Sequence, residues 1–169
     1  MTNPIYIFMD FDGVTHPWGE AEDFHCLPLI EAVLRDFDEA RIIISSDWRM
    51  LFSLPKLRVR FSEDIRPRVE GVTPHILPRR SSELHGLREH EAMMWLRQHT
   101  TDVAEAAWCA LDDAPGNWIS RSRLILTDFK RGFTEEDAES MRHMLQAFRN
   151  GAHRQEAGKP HNNFSGPHP

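Results

Sequence analysis

"IYIFMDFDGVTHP", residues 5–17, sets an apolar run directly against two acids one residue apart, Asp10 and Asp12, and then Gly13. The run Ile5 to Met9 is short and rich in β-formers, which reads as a central strand of a parallel sheet, covered on both faces. Two unit charges about 4 Å apart at an effective dielectric near 20 repel by on the order of 4 kcal/mol. Neither acid belongs in a core. The strand is therefore expected to deliver both to the mouth of a sheet.

Outward from this strand, Pro28 to Ala40 reads as a helix, with Leu29, Ile30, Val33, Leu34 and Phe37 at helical spacing and Pro28 in its first turn. Arg41 to Ile44 predicts a second buried strand, ended by Ser45 and Ser46. Ser46 and Asp47 are placed to cap a helix carrying Trp48, Met50, Leu51 and Phe52. Val69 to Thr73, between Pro67 and Pro74, predicts a short third strand. Leu87 to His99 predicts a helix with Leu87, Ala92 or Met93, Trp95 and Leu96 on one side. "AAWCALDD" from Ala106 predicts a fourth strand ending at Asp112 and Asp113, and "RLILTD" from Arg123 a fifth ending at Asp128. Thr134, the acidic turn after it and Gly151 frame a last helix. Residues 1–150 are expected to form one domain, and the Gly-, Pro-, His- and Asn-rich stretch 151–169 a disordered tail.

Strands alternating with helices predict the α/β class, a three-layer α/β/α sandwich around a central parallel sheet. Ligands of such sheets bind beyond the carboxyl ends of the strands. The polar residues at those ends are Asp10 and Asp12, Ser45 and Ser46, Asp112 and Asp113, and Asp128, and they should converge.

With 169 residues, 40% of them apolar, the chain supports one domain with a substantial core. A net charge of −6 argues against general adhesion to nucleic acid or membrane. Eight basic residues between Arg49 and Arg80 face three acidic ones, a local +5 that leaves −11 elsewhere. This segment reads either as a solvated Arg-rich surface or as a positive rim that attracts an anionic substrate. Cys26 and Cys109 lack metal-ligand spacing and read as small buried hydrophobes. No apolar run nears 18 residues, so the expected setting is soluble and cytoplasmic, with no membrane partner.

Carboxylates converging at a sheet edge need a cation, or some must stay protonated. Oxygen ligands without supporting His or Cys point to Mg²⁺. A carboxylate beside Mg²⁺ can attack phosphorus, and an acid two residues on can hand a proton to the leaving oxygen. Hydroxyls and free N–H groups at a helix start, here Ser45 with Ser46, suit phosphate oxygens.

Three stretches in order resemble motifs of the haloacid dehalogenase-like (HAD) superfamily: "IFMDFDGV" its first, "RIIISS" its second and "WCALDD" its fourth. More narrowly, "SSDWR", "EGVTP", "LREHEAMMWL", "ALDD" and "LTDFKRGFT" resemble landmarks of the HAD domains of Swiss army knife RNA-repair proteins. The resemblance implies a phosphatase with Asp10 as nucleophile and Asp12 as general acid and base. It implies Mg²⁺ held by the Asp10 carboxylate, the Asp12 main-chain carbonyl, and Asp112 with or without Asp113. Ser45 would hold the transferring phosphoryl group, with Ser46 as the alternative. The superfamily's third motif normally supplies a lysine, yet no lysine lies between Lys56 and Lys130, and Arg88 occupies the fitting place. Arginine keeps the charge and grips phosphate with two donors, with different reach.

Around these, Gly13 and His16 are expected to touch substrate, and Arg49 to reach a substrate phosphate or base, while Trp48 reads as core. Asp113 has a second reading as a cap for the turn at "APGN". The intervals 14–40 and 50–86 are too short for a large cap domain, which would leave the site open to bulky substrates. Phosphorylated small molecules or nucleic-acid ends are the expected substrates, with RNA-repair proteins as partners. The competing reading is a catalytically weak HAD-like module that binds phosphorylated RNA ends or a protein.

Overall fold

The computed structural model describes residues 3–19 and 21–152. The expected tail, from 153 onward, lies outside the described residues. Five parallel strands form one sheet in the order β3-β2-β1-β4-β5. They are β1 (Ile5–Met9), β2 (Ala40–Ile44), β3 (Val69–Val72), β4 (Ala107–Asp112) and β5 (Leu124–Leu126). The helices are α1 (Leu27–Arg35), α2 (Leu54–Arg58), α3 (Leu87–His99) and α4 (Glu135–Arg149). The α/β sandwich around a central parallel sheet is the expected architecture.

Strand β1 sits centrally because every side chain on it can be buried. Its alternation divides the core in two. Ile5, Ile7 and Met9 pack with Ile30, Val33 and Leu34 of α1 and Met141 and Leu145 of α4. Tyr6 and Phe8 point to the opposite face, onto Ala92, Trp95 and Leu96 of α3 and onto Trp108 and Trp118. From β1 the chain winds outward to β2 and β3, then crosses back to β4 on the other side. The carboxyl end of β1 is therefore the switch point, where an open crevice forms.

Two local expectations shift and a third holds. Helix α1 stops at Arg35 rather than running to Ala40. The Leu34 carbonyl in its last turn and the Phe37 carbonyl just beyond accept hydrogen bonds from Arg68 Nη1, at 2.7 and 3.0 Å, so a side chain 34 residues on from Leu34 closes the helix. The expected helix after Ser46 is one 3-10 turn, Asp47–Met50, with Ser46 as its N-cap. Trp48 is buried there, but Met50 and Leu51 are 53% and 77% exposed, so no apolar stripe exists to extend the turn. Helix α4 starts on the expected cap, a reciprocal pair in which the Thr134 hydroxyl accepts from Asp137 N–H and Asp137 accepts from Thr134 N–H.

Part of the basic segment is internal bracing. Arg58 donates to Val69 O, Arg66 to Phe61 O and Arg68 to the end of α1. These guanidinium groups satisfy main-chain carbonyls, while Lys56, Arg60, Arg79 and Arg80 of the same segment stay exposed. No helix among the described residues is long and apolar enough to cross a membrane. Among the described residues, the stretch after β3 up to α3 holds only the 3-10 turn Ser81–Leu84, and no cap domain is inserted there.

Candidate active site

Asp10 leaves β1 with its N–H still bonded to Leu111 O of β4 at 3.0 Å, which holds the start of the loop against the neighbouring strand. Asp112 is the last residue of β4, and Asp113 follows it. One carboxyl oxygen from each of Asp10, Asp112 and Asp113 lies within 4.8 Å of the other two. Asp10 keeps some accessible surface but is surrounded by protein, like a group on a cleft floor. Burial, then the neighbouring Asp112, push its carboxyl up to about 7, against the opposing pull of Arg88, the Phe11 N–H and the Ser46 hydroxyl. Burial and then Asp10 raise Asp113 to about 6. Asp112 is also raised, mainly by burial, although Trp118 Nε1–H and Ala114 N–H each donate to it, at 2.9 and 2.8 Å. Three oxygen donors, each resisting its own negative charge, fit a small hard dication. They would hold it, and it would withdraw the repulsion that now keeps protons on them.

Gly13 explains how two acids from different strands meet. Its φ is +73°, and a Cβ built there would lie 2.3 Å from Asp113 Oδ2. The missing side chain is the space in which Asp113 sits. The Gly13 N–H donates to His16 O, and its carbonyl accepts the Thr127 hydroxyl at 2.7 Å, so both polar groups are engaged within the protein rather than offered to substrate. Gly13→Ala is expected to destabilise the chain by about 2 kcal/mol through the left-handed backbone alone, and to displace Asp113. Urea unfolding together with a Mg²⁺ titration checks this; unchanged cation affinity would remove Asp113 from the ligand set.

Asp12 stands beside the acid cluster with partners of its own. Its Oδ2 accepts the Trp48 Nε1–H at 2.9 Å, and its Oδ1 lies 3.0 Å from His16 Nε2. The Thr15 hydroxyl donates to Phe11 O at 2.9 Å, so His16 Nδ1–H is the donor in the 2.9 Å contact to Thr15 Oγ1. One proton must then lie between His16 Nε2 and Asp12 Oδ1. His16 is 1% exposed, which corrects its expected substrate contact. Trp48 is buried as expected, but its polar edge faces the site.

The two serines of the second motif stand in different surroundings. Ser45 is buried and its hydroxyl has no hydrogen-bond partner, whereas the Ser46 hydroxyl accepts from Trp48 N–H and is close enough to Asp10 to draw its carboxyl down. Arg49 does not reach outward. Its side chain is 2% exposed and donates to Ser45 O, Ser46 O and Thr73 O, with Glu91 at 2.7 Å. Arg88, at the start of α3, donates to Ser45 O, pairs with Asp47 at 2.8 Å, and is close enough to draw down both Asp10 and Asp112. Asp128 folds onto its own turn, accepting from Lys130 N–H, and stands outside the carboxylate cluster.

Sequence reasoning missed two contributors. Glu91 is 1% exposed and anchors Arg49 and the Ile76 N–H. It shares a helical stripe with Leu87 and Trp95, and an acid on a core-facing stripe signals a buried partner. Thr127, which ties β5 to Gly13, carries no such signal.

A parallel sheet that gathers acids from β1 and β4 at its switch point, with a cation at the start of α3, defines a HAD-like, phosphatase-type module. The family model described as "HAD domain in Swiss Army Knife RNA repair proteins" matches residues 6–138, and the chain belongs to that family. No curated protein and no solved structure matches it.

Proposed function

We propose that the chain is a Mg²⁺-dependent phosphatase that works through an aspartyl-phosphate on Asp10. The observation that carries this reading is the meeting of Asp10, Asp112 and Asp113 within 4.8 Å, with Asp12 beside them but held apart by its own donors. Bound Mg²⁺ would supply charge neutralisation and orient a phosphate oxygen. The Asp12 main-chain carbonyl completes the proposed ligand set.

In the first step an Asp10 carboxylate oxygen attacks phosphorus, the bond to the leaving oxygen breaks, and the Asp12 carboxyl gives that oxygen its proton. In the second, the Asp12 carboxylate takes a proton from water, the water oxygen bonds to phosphorus, and the bond to Asp10 breaks. Phosphate leaves and both acids return to their starting states. Ser46, close to Asp10, is better placed than Ser45 to hold the phosphoryl group, and Arg88 supplies the positive charge that the superfamily takes from lysine.

Terminal phosphates of nucleic acid or nucleotides are the proposed substrates. The uncapped edge and the RNA-repair family favour them. Purified protein should release phosphate from p-nitrophenyl phosphate and from a 3′-phosphorylated oligonucleotide with Mg²⁺, and lose this with excess chelator. One feature favours the second reading, a binding module with little turnover: Arg88 is engaged by Ser45 O and Asp47. Mg²⁺-dependent oligonucleotide binding without phosphate release would select it.

A further inference from the structure

We infer that His16 and Trp48 are positioning residues for proton transfer by Asp12, an assignment that rests on the phosphatase reading above. Each carboxyl oxygen of Asp12 has its own partner, Trp48 on Oδ2 and His16 on Oδ1, at 2.9 and 3.0 Å. A side chain with one partner swings about χ1 and χ2; with two, the plane of its carboxyl is fixed. Asp12 is about one-third exposed, so without these contacts it would rotate into solvent.

The partners are themselves immobilised. His16 is fixed at its far nitrogen by Thr15, which is fixed in turn by Phe11 O. The rings of Phe11, Phe24 and Phe52 pack against Trp48 with centroids 5.7, 5.4 and 5.5 Å away, and Phe24 also lies 5.1 Å from His16. Phe24 has φ 58°, a left-handed backbone that a bulky residue adopts only where its surroundings impose it. That backbone brings its ring against both His16 and Trp48. Arg60 closes the outer side, its guanidinium 5.5 Å from the Trp48 ring and 5.3 Å from that of Phe24. This aromatic box surrounds the holders of the acid and leaves the metal-binding carboxylates to other partners, since Asp112 has its own indole in Trp118.

A residue that acts only by aiming a proton donor has a distinctive kinetic signature. An alkoxide leaving group needs the proton as the bond to phosphorus breaks, whereas p-nitrophenolate leaves without it. The ratio kcat/KM reports the steps up to formation of the aspartyl-phosphate. Trp48→Phe keeps an aromatic ring in the box and removes only the N–H donor. It should lower kcat/KM about 10- to 100-fold on a nucleoside 3′-phosphate and less than about 3-fold on p-nitrophenyl phosphate. His16→Leu should behave likewise. His16→Gln, whose amide can donate from nearly the same point, should recover most of the loss. Asp12→Asn sets the limit of the effect on both substrates.

Equal losses on the two substrates, or a KM increase with kcat unchanged, would overturn the assignment and leave His16 and Trp48 as packing. If Trp48→Phe fails to fold, the Leu and Gln variants of His16 decide by the same ratio. The indole N–H resonance of Trp48 provides a reading independent of turnover: it should move in Asp12→Asn and stay in Asp113→Asn. A resonance unmoved by Asp12→Asn denies the contact itself. Wild-type protein that releases no phosphate from either substrate sinks the phosphatase reading and this role with it, while the resonance still reports whether the contact exists.

Discussion

Asp10→Asn is expected to cut phosphate release by at least about 10³-fold while making the cation-free protein more stable at pH 7.5. The two effects have one origin. Asp10 sits where burial and Asp112 oppose its charge, which is useful for a nucleophile that acts beside a cation and costly when the cation is absent. An amide of the same shape keeps the Phe11 N–H contact on its oxygen and removes the repulsion. Phosphate release from p-nitrophenyl phosphate and a thermal melt, run on the same preparations, check both halves. Full activity in the variant would reject Asp10 as nucleophile. Lost activity with a lowered melting temperature would make Asp10 a structural residue instead.

Removing the divalent cation should make the protein lose stability as pH rises from 5 to 7.5, and the stabilisation on adding Mg²⁺ should grow over the same range. In the folded chain Asp10 is raised to about 7 and Asp113 to about 6, against 3.8 for an unperturbed Asp, and Asp112 moves the same way. Folded protein therefore binds more protons than unfolded protein between about pH 4 and 7. The stability these groups contribute is fully present below pH 4 and lost as pH climbs through 6 and 7. The loss is on the order of a few kcal/mol, or roughly 5–10 °C for a domain of this size. Glu39, lowered by its pairing with Arg149, works in the opposite sense, but its contribution disappears only as pH falls below the ordinary carboxylate range. Melting curves with chelator and with Mg²⁺ at pH 5, 6 and 7.5 test this. A Mg²⁺ shift that is equal at all three would detach cation binding from the carboxylate cluster.

The elements themselves were readable because each has a local cause. Ile5 to Met9 and Ala107 to Leu111 are apolar runs that stop at acids, and the five strands stand where those runs predict them. Thr134 and Asp137 announce a helix start within four residues. The helix expected after Ser46 stayed a single turn for want of an apolar stripe, whereas elsewhere a distant residue had intervened. Helix α1 ends early where Arg68 reaches back to it, and in the Arg49–Arg80 segment Arg49, Arg58, Arg66 and Arg68 turn to main-chain carbonyls while Lys56, Arg60, Arg79 and Arg80 stay exposed.

The amino-acid sequence by itself determined that acids leave the ends of β1 and β4, that serines end β2, and that no lysine is available before Arg88. Those are matters of composition and of periodicity along a few residues. Only the tertiary structure decided that Ser46 meets Asp10, that Asp113 occupies the space above Gly13, and that an indole 36 residues away holds Asp12. A hydrogen bond needs its two atoms within about 3 Å and properly aimed. Apolar patterning sets which way a side chain faces, but not which of many polar groups it meets once the strands have chosen their neighbours.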